Sequence, residues 1–535
     1  MLICVHPVLI CGRFFLVFSV PPWWILFSHI MNAMKFSELL AGLGVQHRGG
    51  DPEISGLDYD SRRVQPGWLF IAMRGETSDG NRYIDSAMKR GAVAVVSDSS
   101  AEPVRENVAW ATVPHGRKAL ALLAANFYGR PADKLKITGI TGTNGKTTTT
   151  FLVESILNYC GKRSALIGTI EYHVAGEILP APHTTPESLE LNEIFSKAMN
   201  AGATDAVMEV SSHALEQGRV WAIPYDVAVF TNLTRDHLDY HKDMESYFAA
   251  KSLLFQGTGA RPPRVAVINA DDPYGRLLKS SRQSIEQVVG YGIREGDFRA
   301  TNIELQPTRT SFDLVMPSGS VRVQSQLIGR INVYNLLAAS AASWARGCSL
   351  EQIATAISRF NQVPGRFERV DCGQPFTVVV DYAHTNDALE NLTSIARDFV
   401  SRSGRGGRVI TVFGCGGDRD KTKRPLMGEV AGAGSDFVVV TSDNPRSEDP
   451  QKIVEDILPG LERSGLSQYT VELDRKKAIA MALEKARPGD MVLIAGKGHE
   501  KTQTTREGVF PFDDVHVVRK HLEQMAVIGQ RGGEQ

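Results

Sequence analysis

The chain has 535 residues, of which 22% are charged, and its formal net charge is −1 at pH 7. This length predicts about three domains, each with its own core, and the balanced charge excludes the basic surface of a nucleic-acid-binding protein. The six cysteines include no Cys-x-x-Cys pair, so neither a disulfide framework nor a zinc site is indicated. A reduced, cytoplasmic compartment is expected.

Residues 1–33 differ in composition from the rest of the chain. Nearly all of them are apolar, and Arg13 is the only formally charged residue. No basic segment precedes the apolar run and no clear small-residue cleavage site follows it, while Pro21 and Pro22 would interrupt a spanning helix. We therefore predict an upstream extension outside the fold, with Met34 as the natural start and no stable membrane insertion. A membrane anchor is the alternative.

The segment from 34 to 128 has the pattern of a small α/β domain. Trp68–Ala72 and residues 92–96 are short apolar runs typical of strands, and residues 83–90 between them have a helical pattern. Two polar loops, residues 58–67 and 74–80, accompany these elements. By themselves the two loops indicate only solvated turns.

A glycine-rich loop follows an apolar strand pattern at residues 135–140 and precedes a helical pattern. Backbone N–H groups and the helix N-terminus of such a unit bind phosphates, and Gly142 and Gly145 allow a close approach to the anion. Lys146 would reach the β- and γ-phosphates, and Thr147 would offer a hydroxyl to Mg²⁺. The loop predicts a nucleoside triphosphate site, although the first glycine of the usual Walker A spacing is absent. An ordinary glycine-rich turn is the alternative.

Strands and helices alternate from residue 129 to 364, which predicts a largely parallel sheet covered by helices. Glu209 lies within an otherwise apolar strand, where a lone carboxylate is costly unless it is paired or binds a metal. Mg²⁺ prefers oxygen ligands, so Glu209 is a candidate metal ligand, with a buried pair to an arginine as the alternative. His237 ends the next strand among polar residues, where ligands gather in open α/β sheets.

The segment from residue 365 repeats one arrangement four times, with an apolar strand followed by a charged loop. These loops are residues 381–384, 414–419, 442–446 and 496–500. In a parallel sheet all four would lie at the same carboxyl edge, where ligands bind. This arrangement predicts a second ligand-binding surface in the last part of the chain.

The loop spelling Gly-Thr-Asn-Gly-Lys-Thr-Thr at 142–148, together with the order of the other motifs, resembles the Mur ligase family. The resemblance runs from Met34 to the C-terminus. It implies an α/β fold of three domains: a small N-terminal α/β domain, a central P-loop ATPase-type domain with a mostly parallel sheet, and a C-terminal Rossmann-like α/β domain. The corresponding ranges are 34–128 for the UDP-sugar, 129–364 for ATP and 365–535 for the amino acid.

The resemblance also implies most of the individual site residues. For ATP it implies Gly142, Thr143, Asn144, Gly145, Lys146, Thr147, Thr148, Asn335 and Asp381. For the UDP-muramoyl-peptide it implies Ser61, Gly75, Glu76, Thr77, Thr184, Thr185, Ser211, Gln217 and Arg219. The implied catalytic groups are Lys146, Glu209, His237 and Lys251, the last carbamoylated to N6-carboxylysine. The implied Mg²⁺ ligands are Thr147, Glu209, His237 and the Lys251 carbamate.

Asp443-Asn444-Pro445-Arg446 resembles the motif of family members that add meso-diaminopimelate. Arg446 suits this amino acid because a guanidinium pairs bidentately with its distal carboxylate, a group that lysine lacks. The implied diaminopimelate contacts are Arg419, Asp443, Asn444, Pro445, Arg446, Gly496 and Glu500. The implied activity is ATP-dependent addition of meso-diaminopimelate to the D-glutamyl γ-carboxylate of UDP-N-acetylmuramoyl-L-alanyl-D-glutamate, through an acyl phosphate, in peptidoglycan precursor synthesis.

Two alternatives share part of this pattern. A folylpolyglutamate synthetase also joins an amino acid to a carboxylate with ATP, but it does not account for the UDP-type first domain or for Arg446. A regulatory P-loop ATPase without ligase chemistry leaves the four C-terminal loops unexplained. We therefore expect a cytoplasmic monomer whose partners are small-molecule substrates, with ATP and Mg²⁺ as cofactors and no nucleic acid.

Overall fold

The computed structural model of the chain describes residues 8–10, 13–15, 33–75, 78–99, 108–280, 285–306, 308–404 and 406–532. The chain divides into two compact units, residues 1–119 with 126–128 and residues 120–125 with 129–535. The prediction for residues 1–33 remains a prediction, because the structure describes only Val8–Ile10, Arg13–Phe15 and residue 33 of that stretch. No helix of the described residues is long and apolar enough to span a membrane.

The first unit contains a small sheet with helices. Its strands are β1 (Val8–Ile10), β2 (Arg13–Phe15), β3 (Met34–Lys35), β4 (His47–Arg48), β5 (Glu53–Ile54), β6 (Gly56–Asp58), β7 (Trp68–Ala72), β8 (Ala94–Ser97) and β9 (Ala109–Thr112). Its helices are α1 (Phe36–Leu39), α2 (Ile84–Lys89) and the ends of α3 (Gly116–Phe127), with a 3₁₀ turn at Gly80–Tyr83. The main sheet has the order β4-β9-β8-β7-β6 and is parallel except at β4. Phe70, Val95 and Trp110 meet in its core.

The second unit begins with a large sheet in the order β13-β12-β11-β14-β10-β15-β16-β17-β18-β19-β20. The strands are β10 (Lys136–Thr141), β11 (Ser164–Ile167), β12 (Glu171–Val174), β13 (Glu177–Pro180), β14 (Asp205–Glu209), β15 (Tyr225–Phe230), β16 (Val265–Asn269), β17 (Gln287–Gly292), β18 (Phe298–Leu305), β19 (Thr310–Met316) and β20 (Gly319–Ser325). The helices are α4 (Pro131–Lys134), α5 (Lys146–Tyr159), α6 (Ser188–Asn200), α7 (Ser212–Gln217), α8 (Leu238–His241), α9 (Met244–Gln256), α10 (Pro273–Ser280), α11 (Arg330–Ala345) and α12 (Leu350–Arg359). From β11 to β18 the pairing is parallel.

Both faces of this central sheet are covered at its middle, which explains why β15 and β16 are buried along their whole length. Side chains alternate between faces, so Val229 joins a core with Leu152 and Leu336, while Phe230 joins a second core with Phe195. The carboxyl edge of the sheet is left for loops, which carry the charged residues of the predicted site.

The second unit also contains a six-stranded sheet in the order β21-β22-β26-β23-β24-β25. Its strands are β21 (Glu368–Val370), β22 (Thr377–Asp381), β23 (Val409–Phe413), β24 (Phe437–Val440), β25 (Tyr469–Val471) and β26 (Met491–Ala495), and a separate hairpin comprises β27 (Thr502–Thr505) and β28 (Gly508–Pro511). The helices are α13 (Asn386–Ser403), α14 (Lys423–Gly434), α15 (Pro450–Ser464), α16 (Arg475–Lys485) and α17 (Asp514–Gly532). In the six-stranded sheet all strands except β21 are parallel. The predicted α/β fold class is confirmed, and the four charged loops do follow neighbouring parallel strands.

A charged histidine connects α5 to the edge of the central sheet. Nδ1 of His173 lies 2.7 Å from Glu154 Oε1, and its Nε2 lies 2.9 Å from Glu171 Oε1. Ionised carboxylates only accept hydrogen bonds, so both ring nitrogens must carry hydrogen. Burial lowers the pKa of His173, but the two carboxylates together outweigh burial and raise the pKa to about 9.

We expect His173→Gln to destabilise the protein at pH 6 and to have a much smaller effect at pH 9.5. The pKa of the folded state lies above the unfolded value of about 6.5, so the stabilisation is complete below pH 6.5 and is lost as the pH rises through 9. A shift of this size corresponds to roughly 3 kcal/mol. Urea unfolding midpoints at the two pH values measure it, with exposed His516→Gln as the control. The same pH dependence in both variants would contradict the ion-pair assignment.

Candidate active site

The phosphate loop joins β10 to α5 in the conformation that glycine permits. Gly142 and Gly145 have φ angles of +149° and +84°, and a Cβ at Gly142 would lie 1.8 Å from the Thr231 hydroxyl oxygen. Nζ of Lys146 donates hydrogen bonds to the carbonyl oxygens of Gly142 and Thr143, at 3.0 and 2.9 Å. Burial lowers the pKa of Lys146. The loop therefore holds a cation at the N-terminus of α5, the arrangement predicted for phosphate binding.

Glu209 is fully buried at the end of β14, facing the phosphate loop. Its Oε2 accepts hydrogen bonds from the hydroxyls of Thr147 and Thr169 at 3.1 and 3.0 Å, and its Oε1 accepts one from the Thr169 N–H at 2.8 Å. Among the described residues no arginine forms an ion pair with it, so the arginine-paired alternative is wrong. Threonine hydroxyls and one backbone group stabilise this buried carboxylate instead.

Lys251 lies on α9 and is only 2% exposed, so it is not a surface lysine. Its Nζ donates a hydrogen bond of 2.8 Å to the Gly142 carbonyl oxygen and lies 4.4 Å from the centre of the Tyr247 ring. Burial and, secondarily, the charge of Lys146 hold the pKa of Lys251 well below its usual value. Burial therefore makes the neutral, nucleophilic amine easier to reach than in an exposed lysine.

His237 precedes α8 with a left-handed φ of +55°. Its ring lies edge-on to that of His213, with centroids 5.0 Å apart. Burial lowers the pKa of His237, which keeps the imidazole neutral, the form that binds metals. His237, Glu209, Lys251 and Thr147 all line one cavity of about 280 Å³.

The same cavity receives residues from α11 and from the C-terminal sheet. Asn335 lies close to the phosphate loop, since a Cβ at Gly145 would be 2.4 Å from its Oδ1. Asp381 accepts hydrogen bonds from the backbone N–H groups of Phe367 and Ala383 at 2.6 and 2.8 Å, and burial raises its pKa. Of the nine residues predicted for ATP, all but Gly142 line this cavity: Thr143, Asn144, Gly145, Lys146, Thr147, Thr148, Asn335 and Asp381.

The residues predicted for the muramoyl-peptide are only partly brought together. Thr184 and Ser211 line the cavity. Thr185 lies beside them, donating to the Glu209 carbonyl oxygen at 2.9 Å, and Arg219 Nε donates to Gln217 Oε1 at 2.8 Å. Ser61 and Gly75 belong to the first unit. Glu76 and Thr77 lie outside the described residues.

The predicted amino-acid residues form a separate cluster at the carboxyl edge of the C-terminal sheet. Nη1 of Arg446 donates to the Gly417 carbonyl oxygen at 2.6 Å, and Nη1 of Arg419 donates to the Asp418 carbonyl oxygen at 3.0 Å. Burial and the nearby charge of Arg419 lower the pKa of Arg446. Within the described part of the chain neither arginine forms an ion pair with a carboxylate. Two neighbouring guanidinium groups that form no direct ion pair have hydrogen-bond donors suited to an anion.

Asn444 and Glu500 form the other half of this cluster, because Nδ2 of Asn444 donates to Glu500 Oε2 at 2.8 Å. Asp443 and Gly496 are adjacent, since a Cβ at Gly496 would lie 3.5 Å from Asp443 Oδ2. Pro445 belongs to the same loop after β24. The cluster thus places the carboxylates of Asp443 and Glu500 near Arg446.

Three further residues at these sites were missed by sequence reasoning. Nη2 of Arg366 donates to the Thr147 hydroxyl at 3.1 Å, and Asp387 Oδ2 accepts a hydrogen bond of 2.5 Å from Asn144 Nδ2. Lys497 is fully buried beside Asn444. The sequence around these residues gives only weak indications of a site. Arg366 follows a glycine, Asp387 follows the loop at the end of a strand, and Lys497 lies between two glycines.

Three domain families match the chain. These are the Mur ligase family catalytic domain at residues 53–128, the Mur ligase middle domain at 140–343 and the Mur ligase glutamate ligase domain at 365–498. The chain is 53% identical over 472 residues to the UDP-N-acetylmuramoyl-L-alanyl-D-glutamate–2,6-diaminopimelate ligase of Solibacter usitatus, covering 88% of this chain and 94% of that protein. The protein of the same name from Geobacillus thermodenitrificans is 48% identical, covering 92% and 100%.

Solved structures agree with these matches. A structure of a UDP-N-acetylmuramoyl-L-alanyl-D-glutamate–2,6-diaminopimelate ligase is 35% identical, covers 89% of this chain and 96% of its own, and has a TM-score of 0.63. The folylpolyglutamate synthase of Mycobacterium tuberculosis complexed with ADP covers 72% of this chain and 92% of its own at 20% identity, with a TM-score of 0.59, and so shows the fold alone. The chain belongs to the Mur ligase family and is an ATP-dependent, amide-forming ligase.

Proposed function

We propose that this ligase adds meso-diaminopimelate to the D-glutamyl γ-carboxylate of UDP-N-acetylmuramoyl-L-alanyl-D-glutamate, in peptidoglycan precursor synthesis. The observation that carries the proposal is the pair of guanidinium groups of Arg419 and Arg446, which form no direct ion pair with a described carboxylate, near the carboxylate of Glu500. A distal amino-acid head group offers one carboxylate and one ammonium to such a cluster. The names and high identity of the relatives support the same substrate.

The proposed mechanism proceeds through an acyl phosphate. The γ-carboxylate attacks the γ-phosphorus of ATP and releases ADP, and the amine of diaminopimelate then attacks the acyl carbon and releases phosphate. Lys146 neutralises charge on the transferring phosphoryl group. Arg366, bonded to Thr147, adds a second cation at the phosphate loop. Because the loops converge on one cavity, they can hold the reacting carboxylate and the γ-phosphate of ATP close together.

The donor set at the loop fits Mg²⁺. Glu209 and Thr147 offer oxygen atoms and His237 a neutral imidazole, and these three line one cavity. Mg²⁺ is usually held by one or two carboxylates together with substrate phosphates, and Glu209 supplies one carboxylate here. When bound, the ion would neutralise charge on the phosphoryl oxygens.

We further propose that Lys251 is carbamoylated. The neutral amine adds to CO₂, forming an N–C bond and releasing one proton, so the neutral amine becomes an oxygen-bearing anion. The full burial of Lys251 and its depressed pKa favour the neutral amine that this reaction needs. The carbamate would supply a further oxygen ligand beside Glu209 and His237.

We expect Lys251→Ala to be nearly inactive and to recover part of its activity when short carboxylic acids are added, because their oxygens replace those of the carbamate. Lys251→Arg is the matched control: it keeps a cation but cannot form the carbamate, so it should also be inactive. ADP release measures both variants. Substantial activity in Lys251→Arg would show that a positive charge suffices, and full activity in Lys251→Ala would remove any role.

We propose that three domains each bind a different ligand. Residues 34–128 would hold the UDP moiety through Ser61, Gly75, Glu76 and Thr77, residues 129–364 would hold ATP, and residues 365–535 the amino acid. Thr184, Thr185, Ser211, Gln217 and Arg219 would contact the muramoyl-peptide. Because ATP and UDP-linked precursors are cytoplasmic metabolites, we place the reaction in the cytoplasm, performed by a monomer.

One assay tests the proposed function. ADP release is measured with UDP-N-acetylmuramoyl-L-alanyl-D-glutamate as the acceptor and with meso-diaminopimelate, L-lysine or L-glutamate added in turn. We expect turnover with meso-diaminopimelate and little with the others. Turnover that requires a folate acceptor and L-glutamate would instead support the folylpolyglutamate synthetase alternative.

A further inference from the structure

Lys497 is a fully buried cation in the loop after β26. Its neighbours Gly496 and Gly498 have φ angles of +116° and +53°, and a Cβ at Gly498 would lie 2.6 Å from the Gly365 carbonyl oxygen. The loop conformation therefore requires glycine on each side of Lys497. The Lys497 side chain between them is buried in the protein. A lysine is almost never fully buried unless it is paired.

All three hydrogens of this ammonium group are used by the protein. Nζ of Lys497 donates to Asn444 Oδ1 at 2.9 Å, to the Thr502 carbonyl oxygen at 2.8 Å and to Glu500 Oε2 at 3.2 Å. An ammonium group has three donors and no acceptor, so none remains for a substrate. Any effect of Lys497 on the reaction must pass through the groups that it holds.

The first of these groups is the amide of Asn444. Its Oδ1 accepts hydrogen bonds from Lys497 and from the Thr504 N–H, the latter at 2.9 Å. The flipped amide would place an NH₂ group against two donors, so this orientation is the one that satisfies all partners. Nδ2 consequently donates to Glu500 Oε2 at 2.8 Å.

The second group is the carboxylate of Glu500. Its Oε2 accepts hydrogen bonds from both Asn444 and Lys497, whereas its Oε1 accepts none from the residues that the structure describes. The side chain is 29% exposed, so the carboxylate is open to contact with a ligand. Fixing Oε2 at two points also fixes the direction in which Oε1 faces.

The local charges also depend on Lys497. Asp443 Oδ1 lies 3.4 Å from its Nζ, so one ammonium faces the two carboxylates of Asp443 and Glu500. The buried Arg475 is paired with Asp514 instead, at 2.7 Å. The charges of Arg446 and Arg475 also attract both carboxylates, and Lys497 is the cation in direct contact with them. Without Lys497 the two carboxylates would lose the ammonium group that lies 3.4 Å from Asp443 and 3.2 Å from Glu500.

We propose that Lys497 is a positioning residue for the diamino acid, holding Asn444 and Glu500 so that Glu500 Oε1 meets the distal ammonium of the substrate. This inference rests on the proposed function, since it assumes that the cluster binds the distal head group of diaminopimelate. It assigns a role to a residue that does not itself touch the substrate.

The test is a double-mutant cycle with Lys497→Met and Glu500→Gln, measured as steady-state kinetics of ADP release. Lys497→Met should raise the KM for meso-diaminopimelate by roughly 30-fold or more, while kcat and the KM for ATP change by less than about threefold. In the Glu500→Gln background the same substitution should raise that KM by no more than about threefold further, because its effect passes through Glu500.

Other outcomes overturn the proposal. An unchanged KM for diaminopimelate, a parallel rise in the KM for ATP, or equal effects in the two backgrounds would each do so. If Lys497→Met proves unfolded in thermal melts, Lys497→Gln, which retains two donors, is used with the same expectations. Failure of the proposed function is seen separately, because wild-type enzyme would then not turn over meso-diaminopimelate.

Discussion

Replacing Lys146 with alanine is expected to reduce ATP-dependent ligation by about 10³-fold or more while leaving the fold intact. The loop bonds of Lys146 place its charge where phosphates bind at the N-terminus of α5. Removing a preorganised cation from a transferring phosphoryl group costs this much in comparable enzymes. ADP release and thermal unfolding, measured on the same preparation, separate the loss of chemistry from a loss of structure.

The matched control is Lys134→Ala, which removes an exposed lysine from the short helix preceding β10. This variant should keep wild-type turnover, since its charge is exposed to solvent and screened. Normal turnover in Lys146→Ala would contradict the assignment of the loop to ATP. Equal losses in the two variants would point to a general effect of charge.

The second large effect is expected at Arg446. Diaminopimelate and lysine share the same reacting amino-acid head, so discrimination must depend on the distal carboxylate. Truncating one partner of a buried arginine–carboxylate pair costs about 2–5 kcal/mol, which corresponds to roughly 30- to several-thousand-fold in kcat/KM. Arg446→Ala should lose this much kcat/KM for meso-diaminopimelate, with no change in the KM for ATP.

The variant is not expected to gain efficient use of lysine, because Asn444 and Glu500 still shape the pocket for the larger ligand. Arg463→Ala is the control, because this arginine is half exposed on α15 and pairs with Glu429 at 3.1 Å. If wild type prefers lysine, or if Arg446→Ala behaves like the control, the amino-acid specificity is wrong. The assignment to the ligase family would stand.

The parts of the site that depend on local sequence were predictable. The phosphate loop is a strand, a glycine turn and a helix in succession, and the steric need for glycine at Gly142 follows from that geometry. The four charged loops of the C-terminal segment follow apolar strands, so their common edge could be inferred from the parallel sheet. Both arguments use residues that are close in sequence or periodic along it.

Contacts between distant residues were not predictable in this way. Asn144 and Asp387 are hydrogen-bonded although 243 positions separate them in sequence, and Thr147 and Arg366 although 219 do. The residues around each of these positions do not indicate which distant residue it contacts. Lys497 belongs to a residue type that is almost always exposed, so only the fold reveals its burial. Lys251 was singled out through a family resemblance, because its surroundings alone indicate an ordinary surface lysine.

The bonds from Asn144 to Asp387 and from Thr147 to Arg366 have a thermodynamic consequence. They join the phosphate loop to the segment that carries the proposed amino-acid cluster, so a ligand that favours these bonds at one end would bias the arrangement at the other. Coupling between two binding equilibria is reciprocal: any factor by which nucleotide tightens amino-acid binding is the factor by which the amino acid tightens nucleotide binding. An obligatory order of substrate addition in this enzyme would therefore reflect access and rates, not a one-way influence of ATP.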